Sequence, residues 1–299
     1  PIINVPQSLS IVTDEEMLKK GMRSVGDIIR YTPGVNTSQG EGHRDAVVFR
    51  GVRSTADFFQ DGARDDVQYY RSLYNVEQVE ILRGPNALLF GRGGTGGALN
   101  RVTKKAMVGT DLRTVNVGMD SFGAFDVAAD LNMDLGNDMA FRLNVHSDTL
   151  ENHRDYYDGD RLGFNPTLRM KLSSATTLDL SYEHIDHERF IDRGVPTENG
   201  EPVERFEKIT FGGDDNLTTL KANILRATLS KVFSDTRKGN LSIVSSDFEK
   251  MYKNYYASGY TAGATVVTMD GYLDPTEREN TIISGNIVNE VGNLSLIHI

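Results

Sequence analysis

VEQVEILRGPNALLFGRGGTGGALNRVTK, from Val76 to Lys104, is the stretch on which the fold turns. Short β-branched runs at Val79 to Leu82 and Leu99 to Thr103 read as strands, because such side chains suit a pleated surface. Between them Pro85 to Phe90 suits a helical turn with proline near its first position, and Gly91-Arg92-Gly93-Gly94-Thr95-Gly96 follows. That hexapeptide satisfies GxGxxG, which marks a dinucleotide cradle only where it follows a strand and opens a helix. Here the order is inverted, so a tight structural turn using glycine's access to positive φ is the better reading. A Walker-type phosphate loop fails too, since no Lys-Ser or Lys-Thr follows the glycines. A soluble dinucleotide-binding enzyme is thereby left as a distant alternative.

Upstream, Asp14 with Glu15 and Glu16 behind it reads as the N-cap of a short helix that Gly21 ends. A second helix is expected over Ser24 to Tyr31, stopped by Thr32-Pro33-Gly34, and Ala46 to Phe49 reads as a strand. Residues 1–106 therefore form a mixed, turn-rich α/β unit. The chain has 299 residues, 38% of them apolar, which allows one or two domains. It has no cysteine, which removes disulfides, thiolate metal sites and thiol nucleophiles. No window approaches the roughly 18 apolar residues of a membrane-crossing helix. The opening, Pro1-Ile2-Ile3-Asn4, shows no basic leader or apolar signal segment, so any export signal is expected to have been removed or left out. The net charge of −10 falls on the second part, since residues 1–106 are slightly basic. An acidic second part argues against nucleic acid as partner, which needs a basic stripe.

Beyond residue 106 the period changes to two. Val115, Val117 and Met119 alternate with Thr114, Asn116 and Gly118. After a pivot at Asp120-Ser121, Phe125, Val127, Ala129, Leu131, Met133 and Leu135 oppose Asp126, Asp130, Asn132 and Asp134. Gly136-Asn137-Asp138 turns the chain into a further alternating run, Met139 to His146, and the pattern returns at Phe164 to Leu172 and Leu178 to Glu183. Leu220 to Phe233 is less regular: its apolar parity passes from Leu220, Ala222 and Ile224 to Leu225, Ala227 and Leu229, which suggests a bulge or a strand boundary placed elsewhere. Leu241 to Tyr256 and Thr281 to Val291 complete about eight strands of an antiparallel meander. Alternation alone leaves open a transmembrane barrel with a wet lumen and a soluble sandwich.

Further residues reduce that choice. VPQSLSIVT (Val5 to Thr13), IIRYTPGV (Ile28 to Val35), FRGV (Phe49 to Val52), DGARD (Asp61 to Asp65) and the block from Tyr74 to Lys105 together resemble the plug domain of TonB-dependent outer-membrane siderophore receptors. The resemblance covers essentially all of residues 1–106. It implies an α+β plug domain (1–106) followed by antiparallel transmembrane β-barrel strands (107–299), about eight of an expected 22. A plug of about 100 residues has a radius of gyration near 13 Å, whereas eight strands close around little more than their own side chains. The chain is accordingly expected to be the first part of a longer barrel, and its ending, Leu294 to Ile299, lacks the terminal aromatic that the resemblance implies.

The resemblance also implies function: energised uptake of ferric siderophores across the bacterial outer membrane. The implied partners are the ferric siderophore as ligand, outer-membrane lipid, and the TonB–ExbB–ExbD complex, although no TonB box precedes Pro1. A TonB-dependent importer of cobalamin or a glycan is the alternative. The expected ligand-binding segment is Ala63 to Tyr74, where Tyr69, Tyr70 and Tyr74 would stack on a planar chelator, Arg64 and Arg71 attract an anionic complex, and Gln68 bond its oxygens. Loops at Glu151 to Asp160 and Arg189 to Asn216 would supply the opposite wall. Arg50 and Arg83 resemble residues that seat the plug on barrel carboxylates, with partners expected in strands beyond this chain. No catalytic constellation, cofactor site or metal site is expected. His184 and His187 fall on opposite sides of a strand, and the acidic runs Asp155 to Asp160 and Asp214-Asp215 read as solvated loops.

Overall fold

Thr13 starts the first helix. In the computed structural model, which describes residues 8–38, 41–55, 57–84 and 96–289, Thr13 Oγ1 accepts the amide of Glu16 at 3.3 Å. Asp14 is thus not the cap, as its position suggested, but the first acid in the opening turn of α1 (Asp14–Lys19). The second helix, α2 (Val25–Arg30), is held by a capping box: Ser24 Oγ accepts from the Asp27 amide at 3.2 Å and Asp27 Oδ2 accepts from the Ser24 amide at 3.0 Å.

These helices pack on two small sheets. In one, β2 (Val35–Ser38), β3 (Ala46–Phe49) and β4 (Val52–Ser54) run antiparallel. The other has five strands in the order β1 (Ser8–Thr13), β7 (Val76–Arg83), β8 (Gly97–Thr103), β5 (Phe58–Gln60), β6 (Ala63–Arg64), with β5 and β8 parallel. The core between them contains Val25, Ile28, Ile29, Phe49, Phe58, Val79, Ile81 and Leu99. Most of the GxGxxG segment and the turn Pro85 to Phe90 lie outside the described residues, as does Leu294 to Ile299. At Gly97 the need for glycine is room: a Cβ there would lie 2.5 Å from Leu82 O and from the Phe49 ring.

The second unit is one antiparallel sheet of eight strands: β9 (Leu112–Met119), β10 (Phe125–Gly136), β11 (Met139–Glu151), β12 (Asp158–Ser173), β13 (Thr176–Phe190), β16 (Leu217–Ser234), β17 (Arg237–Tyr260) and β18 (Val267–Asn289). A two-stranded hairpin, β14 (Thr197–Glu198) and β15 (Glu201–Pro202), sits in the loop before β16. Short turns lie at one end of the sheet, after β10, β12 and β16, and the longer connections at the other.

The two faces of this sheet invert the order of a soluble protein. Val117, Met119 and Ile283 are 66%, 77% and 68% exposed, whereas Asn144, Asn165 and Glu183 on the opposite parity are at most 3% exposed. An apolar row, Met133, Phe141, Leu168, Leu180, Ala227, Ile243 and Ile283, crosses seven strands in continuous register. Such a band facing outward and a polar face packed on a plug is the arrangement of a transmembrane barrel wall. It excludes the sandwich, whose apolar face would be covered. No helix among the described residues is long and apolar enough to cross a membrane.

No bulge forms where the parity changes, and the one register shift of β16 against β17 lies at the strand's end, between Val232 and Ser234. Register runs unbroken from Leu217↔Phe190 to Lys231↔Thr176. The parity change has a packing cause instead. Leu220, Ala222 and Ile224 point inward onto Val67 and Tyr69 of the plug, while Leu225 and Leu229 belong to the outward band.

Candidate functional site: the plug seat and the vestibule above it

The plug is seated by hydrogen bonds to the polar face of the sheet. Glu183 of β13 accepts from Asn75 Nδ2 at 2.9 Å and from Gln60 Nε2 at 2.8 Å. Asp130 of β10 takes Lys104 at 2.9 Å and Arg142 through two bonds of 2.7 Å. Asp61 of the plug pairs with Arg226 of β16 at 2.9 Å. Lys250 of β17 bonds His43 Nδ1 at 2.8 Å, and that ring stacks on Tyr252 with centroids 3.9 Å apart. None of these was singled out from the sequence. Lumen-facing polar residues alternate along every strand, and nothing local tells those that meet the plug from those that meet water.

Arg50 and Arg83, expected to seat the plug on strands beyond this chain, form no ion pair among the described residues. Arg83 donates to Ser8 Oγ and to Pro33 O, both at 2.9 Å, and so ties the plug to itself. Arg50 is exposed, with φ of 47°.

The segment Ala63 to Tyr74 divides likewise. Arg71 is sealed: its Nε donates to Asp65 Oδ2 at 2.9 Å, its Nη2 to the Asp65 and Val67 carbonyls, and its guanidinium lies 3.9 Å over the Phe58 ring. Tyr69 donates to the same Asp65 oxygen at 2.9 Å, and Arg101 Nη2 reaches it at 2.8 Å. Burial would raise the Asp65 carboxyl, but Arg71 and Arg101 outweigh it and hold Asp65 below the ordinary range. Asp45, 3.7 Å from Arg71, is instead pushed up by burial, because Arg71 gives its nearest donors to Asp65. Tyr69 and Arg71 thus form the buried frame of the loop, and Arg71 also borders the vestibule. Tyr74 stacks on His146 at 5.5 Å, and its buried hydroxyl turns toward Glu183 without an aligned hydrogen bond. Arg64 sits 4.8 Å over the Phe59 ring and 3.9 Å from Asp57, in a narrow gap against β16–β18. Gln68 is exposed, and Tyr70 is half-buried.

Tyr70 is where the segment reaches a large cavity. At the long-loop end of the sheet a vestibule of about 1080 Å³ opens between the plug and the loops after β11 and β13. Six arginines line it: Arg23, Arg30, Arg71, Arg154, Arg161 and Arg189. Arg154 fastens two of its walls together, bonding Asp192 at 2.6 and 3.0 Å and the Glu207 carbonyl at 2.8 Å. Arg189 lies 4.3 Å over the Tyr70 ring and 5.9 Å from that of Tyr157. Burial pushes the Tyr70 phenol up to about 12, so it stays protonated. A roomy bowl of this size, lined by arginines and tyrosines with Asp45, Asp192, Glu204 and Glu207 beside them, suits a small polar ligand. His184 and His187 lie on opposite faces of β13, His184 outward beside Asn223 at 2.9 Å and His187 buried inward.

An outward apolar belt, a polar inner face and a plug domain hydrogen-bonded to it define the class: a plugged outer-membrane β-barrel receptor. Residues 1–98 match the TonB-dependent Receptor Plug Domain family, and the chain belongs to the TonB-dependent receptors. It is 31% identical over 210 residues to the probable TonB-dependent receptor BfrD of Bordetella pertussis, covering 68% of this chain and 28% of that protein. It is 27% identical over 228 residues to the probable TonB-dependent siderophore receptor PiuA of Acinetobacter baumannii, covering 72% of this chain and 30% of PiuA. The crystal structure of PiuA superposes with a TM-score of 0.90 over 97% of this chain and 43% of that one, at 22% identity. The chain thus spans less than a third of the length of these two relatives.

Proposed function

We propose that this chain supplies the plug, residues 1–106, and the first wall of a receptor that binds a ferric siderophore in the vestibule. The receptor carries it across the bacterial outer membrane, with TonB–ExbB–ExbD supplying the energy. One observation carries this reading: the plug is gripped by the polar face of a membrane-type sheet, directly beneath a bowl rimmed by arginine and tyrosine. A ferric chelate carrying negative charge and aromatic groups meets both kinds of side chain there. PiuA, similar over most of this chain, is itself described as a probable siderophore receptor. Tyr70 is the main contact offered by the plug loop, with Arg71 beside it on the cavity wall and Gln68 exposed outside the lining. Tyr69, Arg71 and Tyr74 hold that loop in shape, and Arg64 braces it against the wall. No feature of the vestibule favours cobalamin or a glycan. The test is equilibrium binding and iron-limited growth with the full-length receptor and a panel of ferric chelates. Binding of one or more chelates is expected, and uptake of cobalamin or an oligosaccharide with none of the chelates bound would overturn the assignment.

A further inference from the structure

Five of the six vestibule arginines have a carboxylate partner. Arg23 pairs with Asp126, Arg30 with Asp27, Arg71 with Asp65, Arg154 with Asp192 and Arg161 with Asp148. Arg189 is the exception: among the described residues no carboxylate lies within ion-pair distance, and its buried Nε has no acceptor. Its other contacts are aromatic, with the Tyr70 face on the plug side and, on the loop side, the Tyr157 ring, whose hydroxyl it also bonds.

The surroundings are shaped to hold it there. Gly159 stands directly across the strand pair from Arg189, and a Cβ at that position would lie 2.7 Å from Arg189 Cβ. Tyr156 adopts φ of 64°, a left-handed conformation uncommon for a non-glycine residue, in the turn that presents Tyr157. A guanidinium with no carboxylate partner, set between two tyrosine rings on the wall of a cavity, matches a planar aromatic anion: charge for the guanidinium, a π-face for the tyrosines. A tris-catecholate ferric complex has both properties. A ferric trihydroxamate is uncharged and carries no aromatic ring.

We propose that Arg189, held between Tyr70 and Tyr157, is the specificity-determining residue of the vestibule and takes one catecholate arm of the ferric complex in preference to hydroxamate ligands. This rests on the vestibule being the ferric siderophore site. The test uses the full-length receptor in detergent and two probes: ferric tris(2,3-dihydroxybenzoate) and the ferric complex of a linear trihydroxamate, each titrated calorimetrically. The wild-type receptor is expected to bind the catecholate at least tenfold more tightly, with affinity that falls as salt rises, while binding of the neutral chelate stays salt-independent. Arg189→Gln is expected to weaken the catecholate at least tenfold and leave the hydroxamate unchanged, and Arg189→Lys to recover only part of the loss. Equal wild-type affinities, or tighter hydroxamate binding, would overturn the role of Arg189 and leave the siderophore function standing. So would an equal loss of both probes in Arg189→Gln. Failure of both probes to bind the wild-type receptor would overturn both readings. The salt comparison needs no variant, so a misfolded Arg189→Gln does not protect the proposal.

Discussion

Asp65 ties three buried side chains of the plug together. One of its oxygens accepts Tyr69, Arg71 and Arg101 at 2.8–2.9 Å, all three side chains being buried. Removing that charge strands two guanidiniums in a dry interior, a loss of about 3–5 kcal/mol by analogy with broken buried ion pairs. Asp65→Asn is therefore expected to lower the urea midpoint of the plug markedly. The pH dependence has a definite sign. The folded carboxyl lies below its unfolded value, so its stabilisation is complete above about pH 4 and disappears as pH falls through the folded value. The stability gap between wild type and Asp65→Asn should stay flat from about pH 8 to pH 5 and close only below about pH 4. A gap already closing near neutral pH would point to another group.

Among the elements, β12 sets the clearance between wall and plug. Gly163 faces Tyr74, and a Cβ there would lie 2.6 Å from the Tyr74 ring. Because that ring is also stacked on His146, it has nowhere to retreat without breaking the stack. Gly163→Ala is expected to destabilise the receptor by about 1–3 kcal/mol, the usual cost of overpacking, and the paired change Gly163→Ala with Tyr74→Leu to recover most of it. Thermal unfolding of the two variants measures both, and an unchanged transition in the single variant would show that the ring has slack.

Strands such as β12 were readable from sequence because lipid on one side and plug on the other both respect a period of two. The exception, Leu220 to Leu229, misleads because the plug is not polar everywhere: where Val67 and Tyr69 touch β16, the inner face turns apolar. The roles within the loop Ala63 to Tyr74 were hidden for a related reason. Arginine and tyrosine serve a ligand or a buried carboxylate equally well, and only the position of Asp65 and Asp45 decides that Arg71 does the second. Arg189 sat within a loop span expected to form the far wall, but its lack of an ion-pair partner among the described residues is a fact of tertiary structure.

For the whole molecule, what holds plug to wall differs in kind from what holds wall to membrane. The seat is made of hydrogen bonds and ion pairs at Glu183, Asp130, Asp61 and Lys250, which urea and water can replace one by one. The belt is an apolar row in lipid, backed by strand ladders whose amides have no alternative partner in hydrocarbon. The two should therefore fail separately in the bilayer-embedded receptor. Proteolytic cleavage of the loop at Ala63 to Tyr74 is expected at a urea concentration where the strand signal in circular dichroism is still intact. Substitutions should sort by face. Glu183→Ala removes the acceptor of Gln60 Nε2 and leaves Asn75 Nδ2 with only Asn165 Oδ1 at 3.2 Å, at about 1–3 kcal/mol for a group left unpaired, and moves the first transition alone. Leu180→Arg places a charge in the belt at about 2–4 kcal/mol near the bilayer midplane and moves the second alone. Coincident transitions, or a Glu183→Ala effect on both, would mean that plug and wall fold as one cooperative unit and that the polar seat is as integral to the barrel as its own ladders.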